Sequence, residues 1–127
     1  MLAHRTGALF RRRRAVMAGS EHQTPESMEL IAQYFRVLSD AQRLRILHCL
    51  QAGEHTVGEI AELTGASPSN VSKHLALLRA NGLVGRRQEG NRAYFGITAP
   101  FIFELCDIVC SGARKRLQHE QSLLPQT

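Results

Sequence analysis

Three cysteines are the residues of this chain with the most distinctive chemistry. Cys106 and Cys110 lie four residues apart in the string FELCDIVC, and Cys49 lies in an earlier segment. Side chains four residues apart on a helix project from one face as neighbours. Two such thiolates suit a soft ion such as trivalent arsenic (arsenite), or a redox-active pair. The alternative is that the three cysteines are small buried apolar residues, as free cysteine often is.

A second group of residues has the types needed to contact nucleic acid. In the predicted helix over residues 68–81, Val71, Leu75 and Leu78 share one face, and the opposite face is short-chained and polar. Such a face can enter a major groove, because small side chains let the backbone approach while Asn, Ser and Lys reach base edges or phosphates. The alternative is an ordinary solvated surface helix. The predicted DNA-binding residues are Ser67, Ser69, Asn70, Ser72, Lys73, Arg79, Arg86, Arg87 and Arg92.

The charge distribution supports this interpretation more than the total charge does. The net charge of +5 is accounted for by residues 1–16, which hold five arginines and no acid, while the remainder balances 11 basic against 11 acidic residues. Residues 67–92 nevertheless carry five cations against the single acid Glu89. Such a local excess is typical of a nucleic-acid-binding surface.

Helix and strand signals place these residues on five helices and one hairpin. The predicted elements are α1 (27–38), α2 (41–52), α3 (57–64), α4 (68–81), β1 (83–87), β2 (92–97) and α5 from about residue 100. Asp40, Thr56 and Ser67 are predicted N-caps of α2, α3 and α4, and Thr98 is a predicted cap of α5. The pattern predicts a mainly α fold with a small β-hairpin, that is, a winged helix-turn-helix.

Apolar periodicity predicts which side of each helix is buried. The predicted α1 carries two apolar stripes, which suggests two neighbours. His74 lies on the inward half of α4, where we expect a packed, hydrogen-bonded histidine rather than a ligand. The predicted inward residues of α2 are Leu44, Ile46, Leu47 and Leu50, and the stripe of α5 is Phe101, Leu105, Ile108, Val109 and Gly112.

The length of 127 residues and the hydrophobic content of 43% suit one domain. We expect a disordered basic tail over 1–26, a DNA-binding and dimerisation domain over 27–118 and a flexible tail over 119–127. Met17 is an alternative translation start, and the arginines before it could add nonspecific phosphate contacts. An odd number of cysteines and no cleavable secretory signal predict a cytoplasmic location. No apolar run approaches bilayer length, so we expect no membrane association.

Three segments resemble the ArsR/SmtB family of bacterial winged-helix repressors: SDAQRLRIL (39–47), TVGEIAELTGASPSNVSKHLALLRANGLV (56–84) and RRQEGNRAYFGI (86–97). The resemblance covers about residues 30–117 and implies the order α1-α2-α3-α4-β1-β2-α5. It also implies a homodimer formed through the first and last helices, bound to double-stranded operator DNA and released by an inducer. One departure is Ala41-Gln42, where the family commonly has proline and threonine.

This chain differs from the family at the positions of two known types of inducer site. The cadmium, lead and arsenic type carries ELCVCDL on the third helix, but here Thr56 and Gly58 occupy the thiol positions. The zinc type needs Asp-x-His on the last helix, but the residue two positions after Asp107 is Val109. The sequence therefore predicts that neither type of site is present.

Some family members sense persulfides through one thiol on the second helix and one on the last, a layout similar to Cys49 with Cys106 or Cys110. Their first thiol lies one residue earlier, at the position of His48. A shift of one residue rotates a helical side chain by about 100°. We therefore leave open a thiol-based sensor of arsenite, a soft metal or persulfide formed by Cys49, Cys106 and Cys110.

The predicted function is a sequence-specific transcriptional repressor and not an enzyme. The chain has no nucleophile elbow, no phosphate-cradling glycine loop and no CxxC at a helix start. The alternatives are a winged-helix protein-interaction module and a thiol redox protein. Salt-sensitive binding to a palindromic operator would separate the repressor from both.

Overall fold

The computed structural model describes residues 23–123, and its contacts divide the chain into one unit up to Arg36 and another from Val37 onward. The expected tails at 1–22 and 124–127 lie outside the described residues. The elements are α1 (Pro25–Leu38), α2 (Ala41–Gln51), α3 (Val57–Thr64), α4 (Pro68–Ala80), β1 (Val84–Glu89), β2 (Arg92–Ile97) and α5 (Pro100–Ser122). This order confirms the predicted winged helix-turn-helix.

The helix α1 begins at Pro25, two residues before the predicted start. Thr24 Oγ1 accepts a hydrogen bond from Ser27 N and Ser27 Oγ accepts one from Thr24 N, both at 3.1 Å. Proline is favoured in the first helical position because its missing N–H has no intrahelical partner there. Residues 25 and 26, which were expected in the disordered tail, are therefore helical.

The helix α2 is capped as predicted, but the prediction that Leu44 belongs to the core is wrong. Asp40 Oδ1 accepts a hydrogen bond from Arg43 N at 3.0 Å. Ile46 and Leu47 are fully buried, whereas Leu44 is 44% exposed. Leu44 lies two residues before Ile46, about 200° around the helix, and so points away from the core.

The helices α3 and α4 form the helix-turn-helix. Thr56 and Glu59 form the predicted capping box at the start of α3, and Gly65 ends α3 with a φ of 75°. Ser67 then caps α4, with Pro68 in the first turn. Three predicted inward residues of α4 are buried at 0–1% exposure: Val71, Leu75 and Leu78. The prediction of this helix pair from local signals is confirmed.

The strands β1 and β2 pair in antiparallel register from Val84 opposite Ile97 to Glu89 opposite Arg92. The turn is two residues long rather than the expected three, because β1 extends to Glu89. Gly90 occupies it with a φ of 60°, which glycine adopts without steric cost.

The loop before α3 pairs with the outer edge of the hairpin. His55 exchanges two backbone hydrogen bonds with Phe95, at 3.0 and 2.8 Å. Since Phe95 is also opposite Arg86 in β1, the strand β2 has partners along both of its edges at this point. The hairpin is thereby joined to the helix-turn-helix through the backbone.

The prediction that Thr98 caps the start of α5 is wrong. Thr98 does not cap α5, because the N-cap residue is Ala99 and makes no side-chain hydrogen bond. The Thr98 methyl group instead lies against Gly85, where an added β-carbon would be 2.6 Å from it. The side chain of Thr98 is thus used to pack on β1.

The apolar stripe predicted for α5 is not its buried face. Phe101, Ile108 and Val109 are 45%, 71% and 58% exposed, whereas the buried residues of this helix are Ile102 and Cys106. The helix also continues through residues 119–122, which were expected to be a flexible tail. Among the helices of residues 23–123, none has the length and apolar character needed to cross a membrane.

Candidate DNA-binding surface

The outer face of α4 and its N-cap carry six of the nine predicted DNA-binding residues, and all six are exposed: Ser67, Ser69, Asn70, Ser72, Lys73 and Arg79. The helix contains no aspartate or glutamate. Lys73 and Arg79 form no ion pair with any residue between 23 and 123. Since neither charge is neutralised within the described chain, the face retains its positive potential.

The serine that precedes α4 has a structural role as well. Ser67 Oγ accepts a hydrogen bond from Asn70 N at 3.2 Å, and it lies 3.4 Å from Ser69 Oγ. The hydroxyl oxygen thereby satisfies one of the free amides of the first turn. The side chains of Ser69 and Asn70 remain exposed at the end of the helix where the backbone amides point outward.

The three predicted arginines of the hairpin have different surroundings. Arg86 lies opposite Phe95 and Arg87 is the next residue of β1, so their side chains leave opposite faces of the hairpin. Arg86 is exposed and donates to Gln88 Oε1 at 2.8 Å. Arg92 is exposed and forms no ion pair with another described residue.

Arg87 is already paired with carboxylates. Its Nη1 donates to Glu89 Oε2 at 2.6 Å and its Nε donates to Glu54 Oε2 at 3.0 Å. The guanidinium carbon lies 5.0 Å from the ring centroid of Tyr94. The hydrogen bonds to Glu89 and Glu54 raise the pKa of Arg87, which stays charged in any case. Neither Glu54 nor Tyr94 was identified from the sequence as a partner of Arg87. Glu54 is 33 residues away from Arg87, and no local pattern connects the two residues.

His74 is half-buried on α4, near the Asp40 cap of α2. The hydrogen bond from Arg43 N chiefly lowers the pKa of Asp40, and Arg43 and His74 contribute electrostatically in the same direction. The packed position of His74 agrees with the prediction. The expected hydrogen bond does not form with any residue that the structure describes.

The three cysteines are not gathered into one site within the described chain. Cys49 lines a groove with Leu44 and Leu63. Gln51 lies about 200° further around α2, and its Nε2 donates to Asp107 Oδ1 in α5 at 3.1 Å. Cys49 therefore points away from the helix that carries the other two thiols.

Cys106 and Cys110 remain neighbours on α5, the first buried and the second exposed. Burial raises the pKa of Cys106, and the charge of Cys110 raises it further. Burial also raises the pKa of Cys49, with a second contribution from Glu59. Over residues 23–123, no three His, Cys, Asp or Glu side chains come together as a metal site would require.

Comparison with known sequences connects this surface to a family. Residues 40–85 match the family described as "Bacterial regulatory protein, arsR family". The HTH-type transcriptional regulator Rv0324 of Mycobacterium tuberculosis is 33% identical over 93 residues, which is 73% of this chain and 41% of that protein. The probable mercury resistance operon repressor of Streptomyces lividans is 35% identical over 74 residues, which is 58% of this chain and 59% of that protein. The chain thus spans less than two thirds of the length of either relative.

A solved structure shares the same architecture. The homodimeric winged helix-turn-helix DNA-binding domain (fragment 1–100) of Mb0332 from Mycobacterium bovis, solved by NMR, superposes with a TM-score of 0.68 at 32% identity. The superposition covers 77% of this chain and 94% of that domain. The chain belongs to the ArsR family of bacterial regulatory proteins, whose transcriptional regulators bind DNA with a winged helix-turn-helix.

Proposed function

We propose that this protein is a homodimeric, inducer-released repressor that recognises a palindromic operator through α4. The observation that carries the proposal is the exposed polar face of α4, which has no acid and two cations that form no ion pair with residues 23–123. A helix of this kind enters the major groove with its N-terminal residues at base edges. Arg86 and Arg92 of the exposed hairpin could then contact the adjacent phosphates.

The homodimer is supported by apolar side chains that are exposed on two helices. On α1, Met28, Leu30 and Phe35 are 54%, 50% and 58% exposed, and on α5 Ile108 and Val109 are also exposed, at 71% and 58%. Large apolar side chains that stay exposed on a helix are typical of a surface that another chain covers. The related Mb0332 domain is homodimeric. A two-fold dimer presents its recognition helices to two half-sites about 34–36 Å apart, which is one turn of DNA. We place this activity in the cytoplasm, where a bacterial operator is found.

The first prediction concerns operator binding. Titration of the purified protein against labelled fragments of its own promoter should reveal one palindromic site, bound roughly 10³-fold or more tightly than a scrambled duplex. The affinity should fall steeply as salt rises, because the bound cations displace condensed counterions. Fluorescence anisotropy at several salt concentrations measures both properties. Equal affinity for operator and scrambled duplex at every salt concentration would leave a protein-interaction module as the better description.

For the inducer, we propose that Cys106 and Cys110 are the sensing thiols. They are neighbours on one helix, and the exposure of Cys110 gives a ligand access to the pair. Arsenite would form an As–S bond with each thiol, and its displaced hydroxide groups leave as water with the thiol protons. The relative from Streptomyces lividans is named for resistance to mercury, another thiophilic element.

The second prediction separates the three thiols. Cys106→Ser and Cys110→Ser should each bind the operator as tightly as the wild type but stay bound when arsenite is added. Cys49→Ser is the matched control, and it should still be released because Cys49 faces away from α5. Release requires that the ligand prefer the DNA-incompetent state. Anisotropy with arsenite, and separately with a persulfide donor, measures the response. Release of both α5 variants by both reagents would disprove the thiol switch.

A further inference from the structure

Four side chains meet on one face of the hairpin, three from its strands and one from the loop before α3. We call them the Arg87 cluster: Glu54, Arg87, Glu89 and Tyr94. We propose that Arg87 is a positioning residue that holds the hairpin against the loop before α3, and that it does not contact the DNA phosphates. The proposal rests on the proposed DNA-binding function, because it concerns how the hairpin is presented to the operator. It divides the basic residues of the hairpin into two classes with different roles.

The backbone brings the members of the cluster to one face. Arg87 and Tyr94 are directly opposite each other in the hairpin, so their side chains leave the same face. Glu89 is two residues beyond Arg87 in β1 and therefore lies on that face too. The neighbouring residue of β2, Phe95, points to the other face, where it is buried.

The loop before α3 adds Glu54 to the same face. His55 is paired with Phe95, which places Glu54 beside Gly96 in an antiparallel arrangement. A β-carbon at Gly96 would lie 3.0 Å from Glu54 Cγ, so the side chain of Glu54 runs directly over the glycine. From there the Glu54 carboxylate reaches Arg87 Nε at 3.0 Å. The cluster thus joins β1, β2 and this loop through side chains, in addition to the backbone pair at His55.

The guanidinium of Arg87 is already neutralised by two carboxylates before any DNA arrives. Its Nε and Nη1 are occupied by two carboxylates, and its carbon lies over the ring of Tyr94. Glu54, Arg87 and Glu89 together carry one net negative charge, which does not attract a phosphate. Arg92, which begins β2 opposite Glu89, forms no ion pair with another described residue and keeps its charge available.

A two-stranded hairpin is a flexible element unless other contacts hold it. Exposed ion pairs add little to global stability, so the cluster matters for the direction of the hairpin more than for folding. A hairpin already held in its bound orientation loses less conformational freedom on binding DNA. Loss of the cluster should therefore weaken operator binding while the protein stays folded.

The test uses the substitution Glu54→Ala. The two possible roles of Arg87 predict opposite changes in operator affinity for it. Glu54→Ala removes a negative charge and releases Arg87, so affinity for the operator rises if Arg87 is a phosphate contact. If Arg87 is a positioning residue, affinity falls, and we expect a loss of roughly three- to tenfold. Glu62→Ala is the matched control, because Glu62 is an exposed acid on α3 that forms no ion pair with a described residue. It reports the effect of losing one exposed negative charge near the hairpin, because Glu62 lines a groove together with Arg92.

Salt dependence gives a second readout. Arg92→Ala should reduce the slope of log affinity against log salt by about one per subunit, as expected for a lost phosphate contact. Arg87→Ala should weaken binding and leave the slope unchanged. An increase in affinity for Glu54→Ala, or a reduced slope for Arg87→Ala, would overturn the proposal.

A measurement without DNA separates this proposal from the proposed function. In the free protein, Glu54→Ala should speed hydrogen exchange at the paired amides of His55 and Phe95 by at least about threefold, with no change for Glu62→Ala. Unchanged exchange would refute the positioning role even if the operator is bound. Failure of the wild type to bind any operator would refute the proposed function and leave the exchange result to decide the role of Arg87.

Discussion

Replacement of Leu75 by alanine is expected to lower the free energy of unfolding by about 2–5 kcal/mol. Leu75 is 1% exposed in the middle of α4, on the buried face of that helix. The truncation removes buried apolar contacts and leaves a cavity that the neighbouring helices fill only in part. Since small domains are stable by about 5–15 kcal/mol, this loss is a large fraction of the total. Urea unfolding followed by circular dichroism, at one fixed protein concentration, measures it.

Leu77→Ala is the control for Leu75→Ala, because it is the same substitution two residues further along the same helix. Leu77 is 38% exposed, so less apolar area returns to water when its side chain is shortened. Its effect should be clearly smaller than that of Leu75→Ala. Equal losses for the two variants would contradict the assignment of the buried face of α4.

Replacement of Lys73 by glutamate is expected to weaken operator binding by at least about tenfold near physiological salt, or about 1.4 kcal/mol. Lys73 is exposed on the outer face of α4 and forms no ion pair with another described residue. The substitution removes an attraction and places a negative charge beside the phosphates. Anisotropy titration at several salt concentrations should also show a salt slope reduced by about one per subunit.

Lys115→Glu makes the same change of charge at the other lysine of the chain, which is exposed on α5. It controls for the effect of net charge on any interaction with DNA. Operator affinity should change much less for Lys115→Glu than for Lys73→Glu. Similar losses would show that the outer face of α4 has no special role and that only total charge matters.

The starts of the central helices could be predicted from the sequence because their signals are local. Asp40, Thr56 and Ser67 each accept a hydrogen bond from a backbone amide three residues later. Residue type and spacing are sufficient to identify such a cap. The buried face of α4 was also predictable, because a regular repeat of apolar residues defines one side of a helix.

Two of the errors, at Thr98 and Leu44, show how neighbouring elements determine the outcome. Thr98 has the right type and position for a cap, but its side chain packs on Gly85 in β1 instead. Leu44 is apolar like its neighbours in α2, yet only one side of that helix faces the core. Neither result follows from spacing along one segment.

Residue order alone was enough to establish the sequence of elements, three of the helix caps and the acid-free polar face of α4. Each of these features depends on residues a few positions apart, whose relative placement is set by the backbone geometry of one element. The pairing of Glu54 with Arg87 across 33 residues, and the direction of Cys49 away from α5, became known only from the folded chain. Contacts of this kind depend on how the elements pack against each other, and burial of apolar surface across the whole core sets that packing.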